Sequence, residues 1–435
     1  MSLTRYHWPE LSLTEQQRVL LRPAISDTTA LRRTVDDIIA TVRSRGDAAL
    51  RNYALQFDGV RLETLRVSQS EFDAAAEALS PIQRDAIEQA ADNIRRFHAE
   101  QLPQPIAIDT RQGMRCERIS QPLERVGLYV PAGTAPLPSA ALMLSIPAAI
   151  AQCPVRVLCA PTNADGNIDP AILFAAQVGG VRDVFKAGGA QAIAAMAYGT
   201  ESITKVNKIF GPGNAYVTAA KAAVADDPLG AAQDMPAGPS EVLVIADAGA
   251  QPEDVAADLL SQAEHGKDSQ VLLIALADAP IDAIVSATEE QLARLPRQHI
   301  AAAALANSAI ITVESIDSAI EVSNLYAPEH LILNVEAARQ YLPQIRNAGS
   351  VFLGPWTPES LGDYCSGTNH VLPTYGYANT FSGLGVDQFM RHMTVQEASA
   401  HGLQQIGPVA VTLAELEGLE AHAQAVRTRL ARLTT

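Results

Sequence analysis

Apolar positions in the first quarter of the chain recur at helical spacing. Between Thr28 and Phe57, Leu31, Val35, Ile38, Ile39 and Val42 fall on one face, which predicts an amphipathic helix. A longer helix is predicted from about 69 to 100, broken at Ser80-Pro81 and closed by Pro103 and Pro105. Residues 1–24 read as an arm ahead of these helices. The pattern then changes to short apolar runs alternating with Ala-rich helical stretches. VGLYVP (126–131), VRVLCAP (155–161), DVFKAGG (183–189) and KIFGPG (208–213) read as strands, with helices near 138–151 and 169–178. A second series follows at 241–248, 270–277, 308–313, 330–335 and 350–354. Such βαβα alternation predicts parallel sheets covered by helices. After about residue 385 the chain is expected to return to helix, ending with a segment around 412–432.

The fold class expected is therefore α/β, with two Rossmann-like parallel-sheet domains and helical N- and C-terminal extensions. The first α/β unit spans about 129–240, and the second carries 241–385. A length of 435 residues suits two or three domains. Charged residues make up 18% and hydrophobic ones 48%, which argues against a mostly disordered chain. A net charge of −16 makes nucleic acid and anionic membranes poor partners. The first twenty residues lack the apolar core of a signal peptide, and the apolar run 140–151 is too short to span a bilayer, so a cytoplasmic location is expected. Cys116, Cys153, Cys159 and Cys365 form no Cys-x-x-Cys pair and read as free thiols.

Candidate chemistry lies in a few short segments. Neither a P-loop nor a G-x-G-x-x-G motif after a strand is present. KAGGAQAIAA (186–195) and FGPGNAYV (210–217) place glycines between a strand and a helix, as either tight turns or an anion-facing dinucleotide site. In the helix predicted over 252–266, Gln262 and His265 project from one face, an arrangement open to a metal or to a helix-dipole partner. Glu329 and His330 are adjacent before a strand, and read either as a solvated pair or as two proton-transfer groups. The loop LGDYCSGTNHVLPT (361–374) gathers Asp363, Cys365, Ser366, Asn369 and His370, more side-chain chemistry than a spacer needs. Glu417 and His422 sit on the last helix, on what is otherwise an acidic face.

Taken together, VGLYVPAGTAPLPSAALM (126–143), FGPGNAYVTAAK (210–221), DMPAGPSEVLVIAD (234–247), LLSQAEHGKDSQ (259–270), NLYAPEHL (324–331), SLGDYCSGTNHVLPT (360–374) and EGLEAHA (417–423) resemble the histidinol dehydrogenase family. The resemblance runs from about residue 30 to the C-terminus. It implies a zinc-dependent, NAD-linked, two-step oxidation of L-histidinol through histidinal to L-histidine, the last step of histidine biosynthesis. It implies one zinc per subunit, held by Gln262, His265, Asp363 and His422. Glu329 and His330 match the acid–base pair, and Tyr129, Gln191 and Asn214 match NAD contacts. Substrate contacts carried over are Ser240 and Glu417, together with the four metal ligands and His330. The resemblance also implies a homodimer whose C-terminal extension, 386–435, reaches the partner's site. The zinc domain would be discontinuous, 25–128 with 241–385, around an NAD-binding domain at 129–240. Ala132, beside Tyr129, stands where the family commonly has glycine, and Gln388 where an acidic residue is frequent. One rival reading is a zinc-dependent hydrolase using the same Glu-His pair, which would leave GPGNAYV without a ligand; another is a homologue that only binds.

Overall fold

The computed structural model describes residues 3–23, 28–132, 135–236 and 238–433. Met1, Ser2 and Ala24 of the expected arm, the 25–27 and 434–435 ends of the expected domains, Gly133 and Thr134 of the 126–143 motif, and Ala237 of the 234–247 motif lie outside the described residues.

Both expected parallel sheets form. One has five strands in the order Asp183–Lys186, Val155–Ala160, Arg125–Tyr129, Lys208–Phe210 and Ala232–Gln233, all parallel. The other has six, all parallel: Thr4–His7, Ala309–Val313, Gln270–Leu276, Glu241–Ala246, His330–Asn334 and Ser350–Leu353. Central strands such as Glu241–Ala246 are buried along their whole length, as a sheet with both faces covered requires. In the five-stranded sheet, and in the six-stranded sheet from Glu241 onward, the chain starts in the middle, runs to one side, then returns to the other. Each therefore has a switch point where neighbouring connections diverge.

Several expectations are corrected. Part of the arm is built into the fold: Thr4–His7 pairs with Ala309–Val313 at the sheet edge. The first helical segment is not continuous to 57. It divides into Thr28–Arg45 and Asp47–Tyr53 at Gly46, whose φ of 52° suits glycine, and ends in a π-turn over Ala54–Asp58. The break at Ser80 does occur. Ser68 and Ser80 each close a capping box, with Glu71 and Gln83, at the starts of Gln69–Ala78 and Pro81–Ala99.

These helices pack on the five-stranded sheet. Val35, Ile38 and Val42 join Val157, Ile193 and Val217 in one core, while Phe72, Ala91 and Ile94 join Leu128, Leu142 and Leu158 in another. The helices of this segment thus pack on the five-stranded sheet, and the core around Ile94 also takes in Val371 and Leu384 from the 241–385 stretch.

The stretch after 385 is also corrected. Met390–Ala398 is a strand, antiparallel to Met114–Pro122, which pairs in turn with Ile106–Arg111. Only then come the helices Ala400–Leu416 and Glu420–Ala431, packed on one another. Alternation is weak in this three-stranded sheet because Ile106–Arg111 is exposed throughout, leaving no buried face to impose a period of two.

A buried histidine ties the helix Pro81–Ala99 to the polar loop. His98 Nδ1 lies 2.9 Å from the Ile94 carbonyl, and Nε2 lies 3.3 Å from Asn369 Nδ2. The carbonyl only accepts and the amide nitrogen only donates, so the ring is neutral with its proton on Nδ1. Burial holds its pKa below the ordinary histidine value. As pH falls through about 6.5 the unfolded chain takes up a proton that the folded chain refuses, so this stabilisation is present above that pH and lost below it. His98→Gln is expected to lower Tm at neutral pH but to lose less Tm than the parent on mild acidification. Parallel declines in calorimetry would refute this.

Candidate active site

The carboxyl edge of the five-stranded sheet faces the amino edge of the six-stranded one. Between them lies a small cavity of about 60 Å³, lined by Gly211 and Lys221 from the first unit, Ser240 and Glu329 from the second, and His370 and Thr374 from the polar loop.

On the first side, the glycine turns stand at strand ends. Tyr129 ends the central strand, is buried, and its hydroxyl accepts the N–H of Gly189 at 3.0 Å. Gln191 lies beside Gly189 in the helix that this turn opens. Gly211 begins the next turn with φ +119°, and a Cβ there would sit 2.2 Å from the Tyr129 carbonyl oxygen, so no larger residue fits. Both peptide groups of Gly211 are held by a buried ion pair: its N–H donates to Asp234 Oδ2 at 2.8 Å, and Lys221 Nζ donates to its carbonyl at 2.8 Å. Asn214 caps the following helix, its Oδ1 accepting the N–H groups of Tyr216 and Val217. The three expected cofactor residues thus gather at one sheet edge, at the place where doubly wound sheets bind ligands.

On the second side, the groups stand at strand beginnings. Glu329 and His330 enter the strand His330–Asn334, next to Ser240 and Glu241 at the start of Glu241–Ala246. Glu329 Oε2 accepts the Glu241 N–H at 2.8 Å. His330 Nδ1 lies 2.9 Å from the Glu241 carbonyl, which only accepts, so that nitrogen carries the proton. Among the described residues His330 Nε2 is left buried without a hydrogen-bond partner, 3.5 Å from Asp363 Oδ1. Glu241 is itself held by Arg22 at 2.6 Å, so the N-terminal segment buttresses the strand that positions both groups.

Two helix ends complete this side. The helix Pro252–Ala263 brings Gln262 to His330, Nε2 to Nδ1 at 3.1 Å, and His265 follows just past the helix end. The short helix Glu359–Tyr364 brings Asp363, whose backbone carbonyl accepts from His370 Nδ1 at 2.8 Å. His265 is exposed at the rim, within electrostatic reach of Asp363, His330 and His370.

The electrostatics are those of an acidic pocket. Burial pushes Glu329 up to about 8 and Glu359 up to about 7, with His330 opposing both shifts. Burial also disfavours the His330 cation, but the carboxylates of Glu329, Asp363 and Glu359 outweigh it and raise its pKa. Asp363 is held below the usual carboxylate range: burial works against its charge, but His330, His370 and His265 prevail.

Among the described residues, no group of three or more His, Cys, Asp or Glu side chains could hold a metal ion by itself. The donors present still suit one. Gln262 Oε1 is buried without a partner among the described residues, Asp363 has its pKa held low, and His265 stands at the rim. A mixed nitrogen and oxygen set without thiolate matches a zinc ion that keeps room for substrate. His422 and Glu417 are not brought here. Both are exposed, His422 on the last helix but Glu417, against expectation, in the turn before it, and neither makes a side-chain hydrogen bond or ion pair among the described residues.

Two further residues belong to the cluster. His370 stood in the polar loop but carried no assignment. Glu359 had one sequence signal, its place four residues before Asp363, which puts both carboxylates on one helical face.

A family model described as histidinol dehydrogenase matches residues 21–430. Curated histidinol dehydrogenases from Vibrio parahaemolyticus and Xanthomonas euvesicatoria are 53% and 56% identical over 427 and 423 residues, covering 98% and 97% of this chain and 98% of each relative. The crystal structure of a histidinol dehydrogenase from Elizabethkingia anophelis superposes with a TM-score of 0.96 at 47% identity, covering 100% of this chain and 99% of that one. With over half of its residues shared along nearly its whole length, and the same fold throughout, the chain belongs to the histidinol dehydrogenase family.

Proposed function

We propose that this chain oxidises L-histidinol to L-histidine in two NAD-linked steps at the cavity between the sheets. The observation that carries the reading is His330 Nε2, a buried ring nitrogen with no partner, beside a carboxylate whose proton affinity is raised to the neutral range. When bound, NAD accepts the hydride of each oxidation, and zinc supplies the positive charge that orients the substrate's amino and imidazole nitrogens.

The residues supply the proton handling. His330 Nε2 takes the alcohol proton as the substrate carbon gives up its first hydride, leaving the aldehyde. Its Nδ1–H, fixed on the Glu241 carbonyl, sets the tautomer that this requires. Glu329 then draws a proton from water as that water adds to the aldehyde, while His330 returns its proton to the carbonyl oxygen and is neutral again. The resulting hydrate gives up a second hydride, His330 takes a hydroxyl proton, and the acid so formed ionises to the carboxylate. Gln262, His265 and Asp363 would hold the zinc from this chain, and Ser240 would contact the substrate. Tyr129, Gln191 and Asn214 would meet NAD at the facing edge.

The fourth zinc ligand, His422, and the substrate contact Glu417 would come from a second copy in a homodimer, one zinc per subunit. What supports this is the extension itself. Val409, Leu413, Leu416 and Leu419 are exposed on the terminal helices, and Ile106 and Ile108 on the hairpin beneath them, an apolar surface that suits burial against a partner. Among the described residues no helix is long and apolar enough to cross a membrane, and a cytoplasmic setting suits the free thiols.

The decisive experiment incubates the protein with histidinol, NAD and zinc, and counts NADH by its near-ultraviolet absorbance against histidine formed. Two NADH per histidine are expected. Removing zinc with a chelator should abolish turnover while circular dichroism and Tm stay largely unchanged, because the two sheet cores are built from apolar side chains. Loss of substrate without NADH would favour the hydrolase reading instead. Full activity in metal-free buffer would reject the zinc requirement.

A further inference from the structure

We infer that Glu359 is a positioning residue that fixes which end of the Gln262 amide faces the metal. The inference rests on the reading of Gln262 as a zinc ligand.

Glu359 opens the helix Glu359–Tyr364 one turn before Asp363, so the two carboxylates share one helical face, and Glu359 reaches Ser261 near the end of the helix Pro252–Ala263. It is only 1% exposed. Its Oε1 accepts the Ser261 hydroxyl at 2.6 Å, which anchors it to the residue next to Gln262. Its Oε2 is buried without a hydrogen-bond partner among the described residues, and the Gln262 amide is near enough to favour the ionised carboxylate by hydrogen bonding. A buried carboxylate is costly unless it serves a charge or a donor.

Gln262 is fully buried, and its amide has a donor end and an acceptor end. Only the acceptor end can bind a cation. The nitrogen end lies 3.1 Å from His330 Nδ1, but that atom's proton is committed to the Glu241 carbonyl, so it offers the amide no lone pair. Glu359 is the acceptor left to the Gln262 nitrogen. In its ionised form the Glu359 carboxylate only accepts, so it draws the –NH₂ toward itself and leaves Oε1, the atom unpartnered among the described residues, as the end open to a cation. Outer partners of this kind commonly orient the groups that ligate a metal.

The test measures zinc affinity of the full-length apoprotein by competition with a chromophoric chelator, and the visible spectrum of the protein loaded with Co²⁺. Glu359→Gln keeps shape but sets a second –NH₂ against the Gln262 nitrogen. It is expected to weaken zinc binding by about 10–100-fold and to shift the Co²⁺ bands. Ser261→Ala, a milder change that only loosens Glu359, should weaken zinc less and in the same direction. The double variant Glu359→Gln/Gln262→Glu restores one donor opposite one acceptor and is expected to recover affinity over the single Glu359→Gln variant. Gln262→Met serves as the control for the ligand itself. If Gln262→Met weakens zinc but Glu359→Gln binds it as the parent does, the positioning role is overturned and the ligand reading stands. If neither change weakens zinc, both fall. A double variant no better than Glu359→Gln alone would also overturn the role.

Discussion

Replacing Glu329 by Gln should slow the oxidation of supplied histidinal by about 10²–10⁴-fold, the usual loss when a general base is removed. The first oxidation should suffer much less. The asymmetry follows from what each step asks for. Alcohol oxidation needs one acceptor for the hydroxyl proton, and Nε2 of His330 in its neutral form, unpartnered among the described residues, supplies it. Aldehyde oxidation first needs water to be deprotonated, and Glu329 faces the cavity with a carboxyl whose affinity for protons burial has raised to the neutral range. The amide of Gln keeps the volume, and its oxygen still accepts the Glu241 N–H, so the strand entry is undisturbed. His330→Asn should instead slow both steps, because the same ring serves twice. Stopped-flow measurement of NADH from histidinol and from histidinal separates the two variants. A Glu329→Gln protein that oxidised histidinal at the parent rate would refute the water-activating role.

Mixing two inactive variants, His265→Ala and His422→Ala, is expected to restore activity. His422 is exposed and lies away from the cluster that holds Gln262, His265 and Asp363. If it completes the partner's site, a mixed dimer takes three ligands from the His422→Ala chain and His422 from the other. One of its two sites is then whole, while the second lacks two ligands. With free exchange about half of the dimers are mixed, so activity should approach about a quarter of the parent value. If each chain built its own site, every site in the mixture would lack a ligand and nothing would return. Subunit exchange is verified independently with differently tagged chains, and silence after proven exchange would reject the shared site. The zinc assignment would survive, because each single variant still reports on one ligand.

The sequence by itself determined the α/β class and most element positions. Short, nearly continuous apolar runs such as VLVIA between helical stretches read as strands covered on both faces, and serine caps with Glu71 and Gln83 set helix starts locally. It also supplied each segment of the candidate site, since Glu329-His330, Gln262 with His265, and the 361–374 loop each carry chemistry in a short stretch. Partner choice was beyond it. The edge strand Thr4–His7 is exposed or half-buried and earns its place only by pairing with Ala309–Val313, some three hundred residues away. The hairpin with Met390–Ala398 likewise has no buried face of its own to announce it. The packing of the first helices on the five-stranded sheet depends on which apolar face meets which, and that matching is non-local. Only the tertiary structure showed that one sheet offers its carboxyl edge and the other its amino edge, so that Gly211 and Glu329 line a single cavity. Glu359 makes the same point at one residue. Its spacing from Asp363 is plain in the chain, but its burial, its bond to Ser261 and its unfilled oxygen beside Gln262 arise only when two helix ends meet, because desolvation is a property of the packed whole.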